Sequence, residues 1–178
     1  MLNIYIKEDD YSDINRIDEY NLEYKSVYPN FKPFATKENF DSFLKTVEDA
    51  KNGINNNGVK EIFYFAIEDD KIVGHGSIRL NPEIDENVYI YGHIMYGVVP
   101  SKRKKGYGTV ICKLLIEKAR ELGLKNIIIS CNDDNLASSL IIQSNCGVLF
   151  EKVMDEEGNL INRYKIPDED NQLNNNRV

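Results

Sequence analysis

The chain has 178 residues, enough for one domain with a core that needs no covalent staples. Its 22 basic and 29 acidic residues leave a net charge of −7, which excludes a general surface for nucleic acid or any other polyanion; an anion site has to be local. Three cysteines without C-x-x-C spacing, two histidines and no apolar run near the ~20 residues of a membrane span argue against a disulfide scaffold, a zinc site and a membrane segment, and imply no metal. With no signal peptide read at the start, the expectation is a reduced, soluble, cytoplasmic protein.

The elements follow in chain order. Leu2–Ile6 suits a short strand. A helix is expected over Asp13–Tyr28, on the spacing of Ile14, Ile17, Tyr20 and Leu22, and ends at Pro29. "YPNFKPF" is an aromatic connector, in which Tyr28, Phe31 and Phe34 could form an apolar wall. Thr36 suits the cap of a helix reaching Ala50, with Phe40, Phe43, Leu44 and Val47 on one stripe. Ile62–Ile67 and Lys71–Leu80 read as a hairpin turning at Asp69-Asp70. An acidic loop, "NPEIDEN", carries Glu83–Glu86 and leads to a strand expected over Val88–Val99. A helix over Tyr107–Leu122, a strand over Asn126–Cys131 and a helix over Asp134–Asn145 come next. Val148–Met154 and Leu160–Ile166 then form a hairpin turning at "EEGN". Residues 1–166 read as one domain, and 167–178 as a polar, unfolded tail.

One stretch stands out against the acidic background: "RKKGYG", Arg103 to Gly108. Pro100 ends the strand before it. After it, Val110, Ile111, Leu114, Leu115 and Ala119 keep a helical period, and "IIIS" has the unbroken apolar run of a strand covered on both faces. Strand, helix and strand make a right-handed crossover with the two strands parallel. The glycines therefore stand at a helix N-terminus, where backbone N–H groups and the helix dipole attract anions. A third glycine for a dinucleotide fingerprint is missing at Ile111, and no lysine follows Gly108 as a Walker loop requires.

"VVPSKRKKGYGTVICKLLIEKARELG" resembles the acetyl-CoA-binding motif of the GNAT acetyltransferases, [RQ]-x-x-G-x-[GA] after a V-x-P strand end. Arg103, Gly106 and Gly108 fill its fixed positions. "NDDNLASSLIIQSNCG" is similar to the helix that follows in that family, with Asn135 and Ser138 at its opening. The likeness runs to about Ile166, and more narrowly is to a bacterial branch without assigned acceptors. It implies a mixed α/β (α+β) fold: a mostly antiparallel sheet with a central, splayed parallel strand pair and helices on both faces. It also implies an N-acyltransferase with acetyl-CoA as cosubstrate and a small-molecule or peptide amine as acceptor, as a monomer or homodimer, without nucleic acid or membrane.

Site residues follow from the same resemblance. The backbone of Val98 and Val99 would pair with the pantetheine arm as a pseudo-strand. Arg103, Lys104, Lys105, Gly106, Tyr107, Gly108 and Thr109 would hold the phosphates, and Asn135 and Ser138 the pantetheine end; capping is an equal reading of Asn135. The family's acid, a tyrosine seven residues after the asparagine, is Ile142 here. His93 is the one histidine near the expected base position, although strand alternation sets it on the opposite face from Val98 and a buried structural role competes. Asp133 and Asp134 suit capping, and Cys131 suits a small core residue. Two other readings stand beside the enzyme: an acyl-CoA sensor without turnover, and a nucleotide-binding α/β protein.

Overall fold

The computed structural model describes residues 2–8, 14–30, 35–36, 38–54 and 57–168. Seven strands form one sheet in the order β1-β2-β3-β4-β5-β7-β6. They are β1 (Tyr5–Glu8), β2 (Glu61–Glu68), β3 (Lys71–Arg79), β4 (Ile94–Val98), β5 (Ile128–Asn132), β6 (Val148–Met154) and β7 (Leu160–Lys165). Only β4 and β5 run parallel; every other neighbouring pair is antiparallel. The helices are α1 (Ile14–Val27), α2 (Phe40–Lys51), α3 (Glu86–Tyr91), α4 (Tyr107–Glu121) and α5 (Leu136–Ser144).

Each face of the sheet buries its own core. On one face α4 and α5 cover Ile78, Ile94, Ile129 and Tyr164, with Ile111 and Leu115 of α4 fully buried. Two glycines let α4 seat this closely. A Cβ on Gly74 would lie 2.6 Å from Ile111 Cδ1, and one on Gly76 2.4 Å from Leu115 Cδ1. On the other face, Ile17, Tyr20 and Tyr24 of α1 pack with Ile72 and Val99, and Phe40, Phe43, Leu44 and Val47 of α2 pack against them. Leu22, expected on the α1 stripe, is instead exposed, and Tyr24 takes its place.

Both hairpins form where expected. Asp69 and Asp70 both have positive φ, 48° and 65°, which Asp tolerates and a twisted two-residue turn demands. Several boundaries differ, and β1 starts later than expected, at Tyr5. Asn39, not Thr36, stands at the N-cap of α2, and its side chain accepts from Thr36 N–H. The strand expected over Val88–Val99 divides into α3 and a shorter β4. Asp85 accepts from the N–H groups of Asn87 and Val88 and so starts a helix, and Gly92, at φ 72°, ends it. Pro167 and Asp168, assigned to the tail, are docked: Arg120 donates to the Pro167 carbonyl and Asn126 N–H to Asp168. The rest of the tail, with Phe31 and Phe34, lies outside the described residues.

Candidate active site

The site begins with a gap in the sheet. β4 and β5 share a single register pair, Ile94 with Ile129, and no further pairing follows. Arg79 N–H donates to His93 C=O at 2.7 Å and Val99 N–H to Val73 C=O at 3.1 Å. Strand alternation then turns the N–H and C=O groups of Tyr96 and Val98 away from β3, into the gap. The Val98 carbonyl is already used: it accepts from Tyr24 Oη at 3.0 Å and Arg103 Nε at 3.1 Å. The groups left facing the gap are the Val98 N–H and both backbone groups of Tyr96. Val99, expected to help here, cannot. Its N–H goes to Val73, and its carbonyl accepts from Lys102 N–H at 3.0 Å.

The loop after β4 supplies the second part. Gly106, at φ 85°, is the N-cap of α4 and has no side chain with which to cap it. The N–H groups of Tyr107, Gly108 and Thr109, in the first turn of a 15-residue helix, are therefore open to an anion. Lys104 also has positive φ, 58°, an uncommon conformation for a long side chain. A Cβ on Gly108 would come within 2.7 Å of Ile141 Cδ1 and 3.6 Å of Val98 Cγ2, so α4, α5 and β4 converge on its bare Cα.

The three cations have different tasks. Arg103 turns back onto α1: it donates to Tyr28 Oη and lies over the rings of Tyr28 and Tyr24, 5.3 and 5.8 Å from their centroids. Lys105 donates to the Ser101 carbonyl at 2.9 Å. Lys104 has no side-chain partner among the described residues and lines the cleft. The Tyr107 side chain is turned into the core, where its hydroxyl meets Glu68 and Lys102, so what it has for a phosphate is its backbone N–H.

A cleft of about 480 Å³ runs between these parts, lined by Tyr28, Tyr96, Val98, Lys104, Gly108 and Asn135 among others. A second cavity of about 270 Å³ lies beyond the gap, with Arg79, Tyr91, Met95, Ser130, Cys131 and Asn132 in its walls. The two share Tyr96, Asn135 and Ser138 and so meet at the open strands. Asn135 does cap α5, its Oδ1 accepting from Ser138 N–H at 3.1 Å, while its Nδ2 has no partner among the described residues.

His93 does not take the place expected of a base. It lines neither cavity, is 8% exposed, and its Nδ1 accepts from Ile128 N–H at 3.1 Å. It pins β4 to β5 at the closed end of the gap, and burial lowers its pKa. The structural role is the one its surroundings support. Ile142 is fully buried, so α5 brings no acid to the cleft at that position. Burial, and secondarily Asp133, pushes the Cys131 thiol up, which makes it a poor nucleophile. Asp133 pairs with Lys152 at 2.6 Å, and Asp85 of the acidic loop caps α3; neither lines the second cavity.

Sequence reasoning missed Tyr96 and Arg79. Tyr96 was legible from its spacing of two from Val98, which puts both on one face and one edge. Nothing local marked Arg79. It enters the site through sheet register, opposite the residue before β4.

A sheet opened at one parallel pair, with an uncapped glycine-led helix at the mouth of the gap, defines the class: transferases that lay a thioester cofactor between splayed strands. The match to the family model described as "Acetyltransferase (GNAT) family" covers residues 20–147, and the chain belongs to that family. No curated protein sequence matches it. Among solved structures it is similar to RimL, a ribosomal L7/L12 alpha-N-protein acetyltransferase in complex with coenzyme A, at 18% identity, TM-score 0.66, and 93% and 94% of the two chains covered. It is also similar to yncA of Salmonella typhimurium, a putative acetyltransferase with acetyl-CoA, at 18% identity, TM-score 0.62 and 93% and 95% coverage. A spermidine N-acetyltransferase SpeG chimera from Vibrio cholerae and hSSAT gives 16% identity, TM-score 0.63 and 96% and 98% coverage. At these identities the likeness is one of fold.

Proposed function

We propose that the chain, as one domain reaching Asp168, binds acetyl-CoA in the larger cleft and moves its acetyl group directly to an amine held in the smaller cavity. The observation that carries this reading is the open edge of β4: unpaired backbone groups of Tyr96 and Val98 face a cleft that ends at the uncapped N-terminus of α4. The Val98 N–H and the Tyr96 carbonyl would bond the amides of the pantetheine arm. The first N–H groups of α4 would take the pyrophosphate, with Lys104 as a nearby point charge. The Tyr96 N–H would donate to the thioester oxygen as charge builds on it. The amine nitrogen attacks the carbonyl carbon, the C–S bond breaks, the ammonium proton leaves to water, and the thiolate takes a proton. No enzyme nucleophile is needed when both substrates sit on either side of one gap.

A sensor without turnover is the second reading, favoured by one observation, the buried Ile142 where the family's acid would stand. Two measurements separate the readings. Coenzyme A should raise the melting temperature where ATP and NAD do not, and free thiol should appear when acetyl-CoA is incubated with a suitable amine. Mass spectrometry should then find no acetyl group on Cys131. Binding without thiol release leaves the sensor; a shift with ATP or NAD instead sinks both acyl-CoA readings.

A further inference from the structure

The smaller cavity lies at the gap itself, where Arg79, Met95 and Ser130 meet Tyr96 and Ser138, and no described residue of the α4 N-terminus lines it; on the acetyltransferase reading it is the place left for the acceptor. Among the described residues in its walls one carries a full charge at neutral pH, Arg79, and none is a carboxylate. Arg79 is held from behind. Its Nε faces Glu61 Oε1 at 3.3 Å and one terminal nitrogen donates to the Gly92 carbonyl at 3.2 Å. Glu61 is 6% exposed and also accepts from Ser77 Oγ at 2.5 Å, which fixes the counter-charge in turn. The other terminal nitrogen of Arg79 has no partner among the described residues. Other polar groups near it are already spent: Tyr91 Oη donates to Asp155 at 3.1 Å and Ser130 Oγ to the Ile90 carbonyl at 2.9 Å.

A guanidinium clamped on one edge by a buried carboxylate, with donors left on the other, is preorganised for an anion of planar geometry. The distance suits a small molecule. Arg79 lies opposite His93, three residues from Tyr96 along β4, a rise of ~10 Å that the arginine side chain itself shortens. We propose that the acceptor is an amino acid, with its amine at the Tyr96 end of the cavity and its carboxylate on Arg79. A polyamine would bring like charge to the one ionised group in the wall, and would find no carboxylate there to hold it. The inference rests on the acetyltransferase reading above and narrows its acceptor.

The test uses the full chain, acetyl-CoA, and matched acceptors: α- and ω-amino acids, their carboxamides, and diamines of equal length, read as free thiol. Amino acids should exceed their carboxamides in kcat/KM by about 10- to 100-fold, the range for a hydrogen bond to a charged group. Arg79→Met combined with Glu61→Gln removes cation and counter-charge together, leaving no unpaired buried charge. That variant should lose the preference while its affinity for coenzyme A stays unchanged. Arg79→Lys, which keeps the charge without the fork, should retain part of it. Turnover of carboxamides or diamines as good as that of the amino acids, or a preference that survives in the double variant, overturns the inference alone. Coenzyme A binding with no thiol released by any acceptor overturns the acetyltransferase reading, and the inference with it.

Discussion

Arg103 has a second role that its place in the motif did not announce. Its place before the glycines was plain in the sequence, yet the side chain faces Tyr28, Tyr24 and the Val98 carbonyl, so it ties α1 to the end of β4. It also stands in the wall of the larger cleft, so it stabilises the loop geometry there and brings its own charge to the same space. Gly108 carries more of the binding. Its bare Cα is where β4, α4 and α5 converge, and a Cβ there meets the flexible end of Ile141. Gly108→Val should therefore fold, since that methyl group can move, but its branched side chain stands over the first-turn N–H groups. We expect at least a tenfold loss of coenzyme A affinity by calorimetry, ~1.4 kcal/mol or more, with a cooperative unfolding transition retained. Unchanged affinity would remove the pyrophosphate from this helix end.

At the scale of elements, what was legible and what was not divide along a physical line. Helices and hairpins with their own caps and turns were readable: α4 from its apolar period, and both hairpins from the Asp69-Asp70 and "EEGN" turns. The segment Val88–Val99 misled because tyrosine, valine and isoleucine favour strands. A local cap at Asp85 and a positive φ at Gly92 overrode that preference for six residues. The same priority of local bonds divides the lysines of the loop. Lys105 is engaged with the Ser101 carbonyl, whereas Lys104 has no side-chain partner among the described residues and, from a left-handed backbone, lines the cleft. Lys104→Gln should weaken coenzyme A roughly two- to fivefold, the value of one partly screened charge, and Lys105→Gln by less. Repeating the titration with dephospho-coenzyme A assigns the contact: a loss confined to coenzyme A puts Lys104 on the 3′-phosphate, and an equal loss puts it on the pyrophosphate. No loss with either cosubstrate would make the loop's charge incidental.

The whole molecule decides what no segment announces. Tyr96, Arg79, Asn135 and Ser138 come from three separate stretches and meet because the sheet opens at one pair of strands. A motif of six residues can reveal the phosphate end of such a site, because it is built from consecutive backbone groups. The end proposed for the acceptor is lined by side chains from β3, β4 and β5, and register is a property of the folded sheet. His93, by contrast, was ambiguous in sequence because a strand-end histidine suits a base or a pin equally, and only its bond to Ile128 N–H separates the two.

Packing of α1 on the sheet also makes acid stability a property of the whole fold. His75 of β3 lies under α1, hydrogen-bonded to Tyr20 at 2.5 Å, with the Tyr20 and Tyr24 rings around it and the Cα of Gly97 against its ring. Burial lowers its pKa from 6.5 to about 4. In the folded chain it thus stays neutral where the unfolded chain takes up a proton. The stability this contributes is fully present above about pH 7 and is lost as pH falls from 6.5 toward 4, because the unfolded state binds the proton first. Between about pH 7.5 and pH 5 the loss from this one group is on the order of 2 kcal/mol. Burial lowers the pKa of His93 as well, which adds in the same direction. The carboxylates held low by hydrogen bonds, Glu68, Asp85, Asp133 and Asp155, take up protons only at more acid pH and leave this window to the histidines. Denaturant unfolding at the two pH values measures the difference. His75→Gln should start less stable, having lost its packing and the Tyr20 bond, yet its stability should fall by about 2 kcal/mol less over the same interval. An identical slope in wild type and variant would mean that His75 is solvated enough to titrate normally, and that α1 seats more loosely on the sheet than its buried tyrosines indicate.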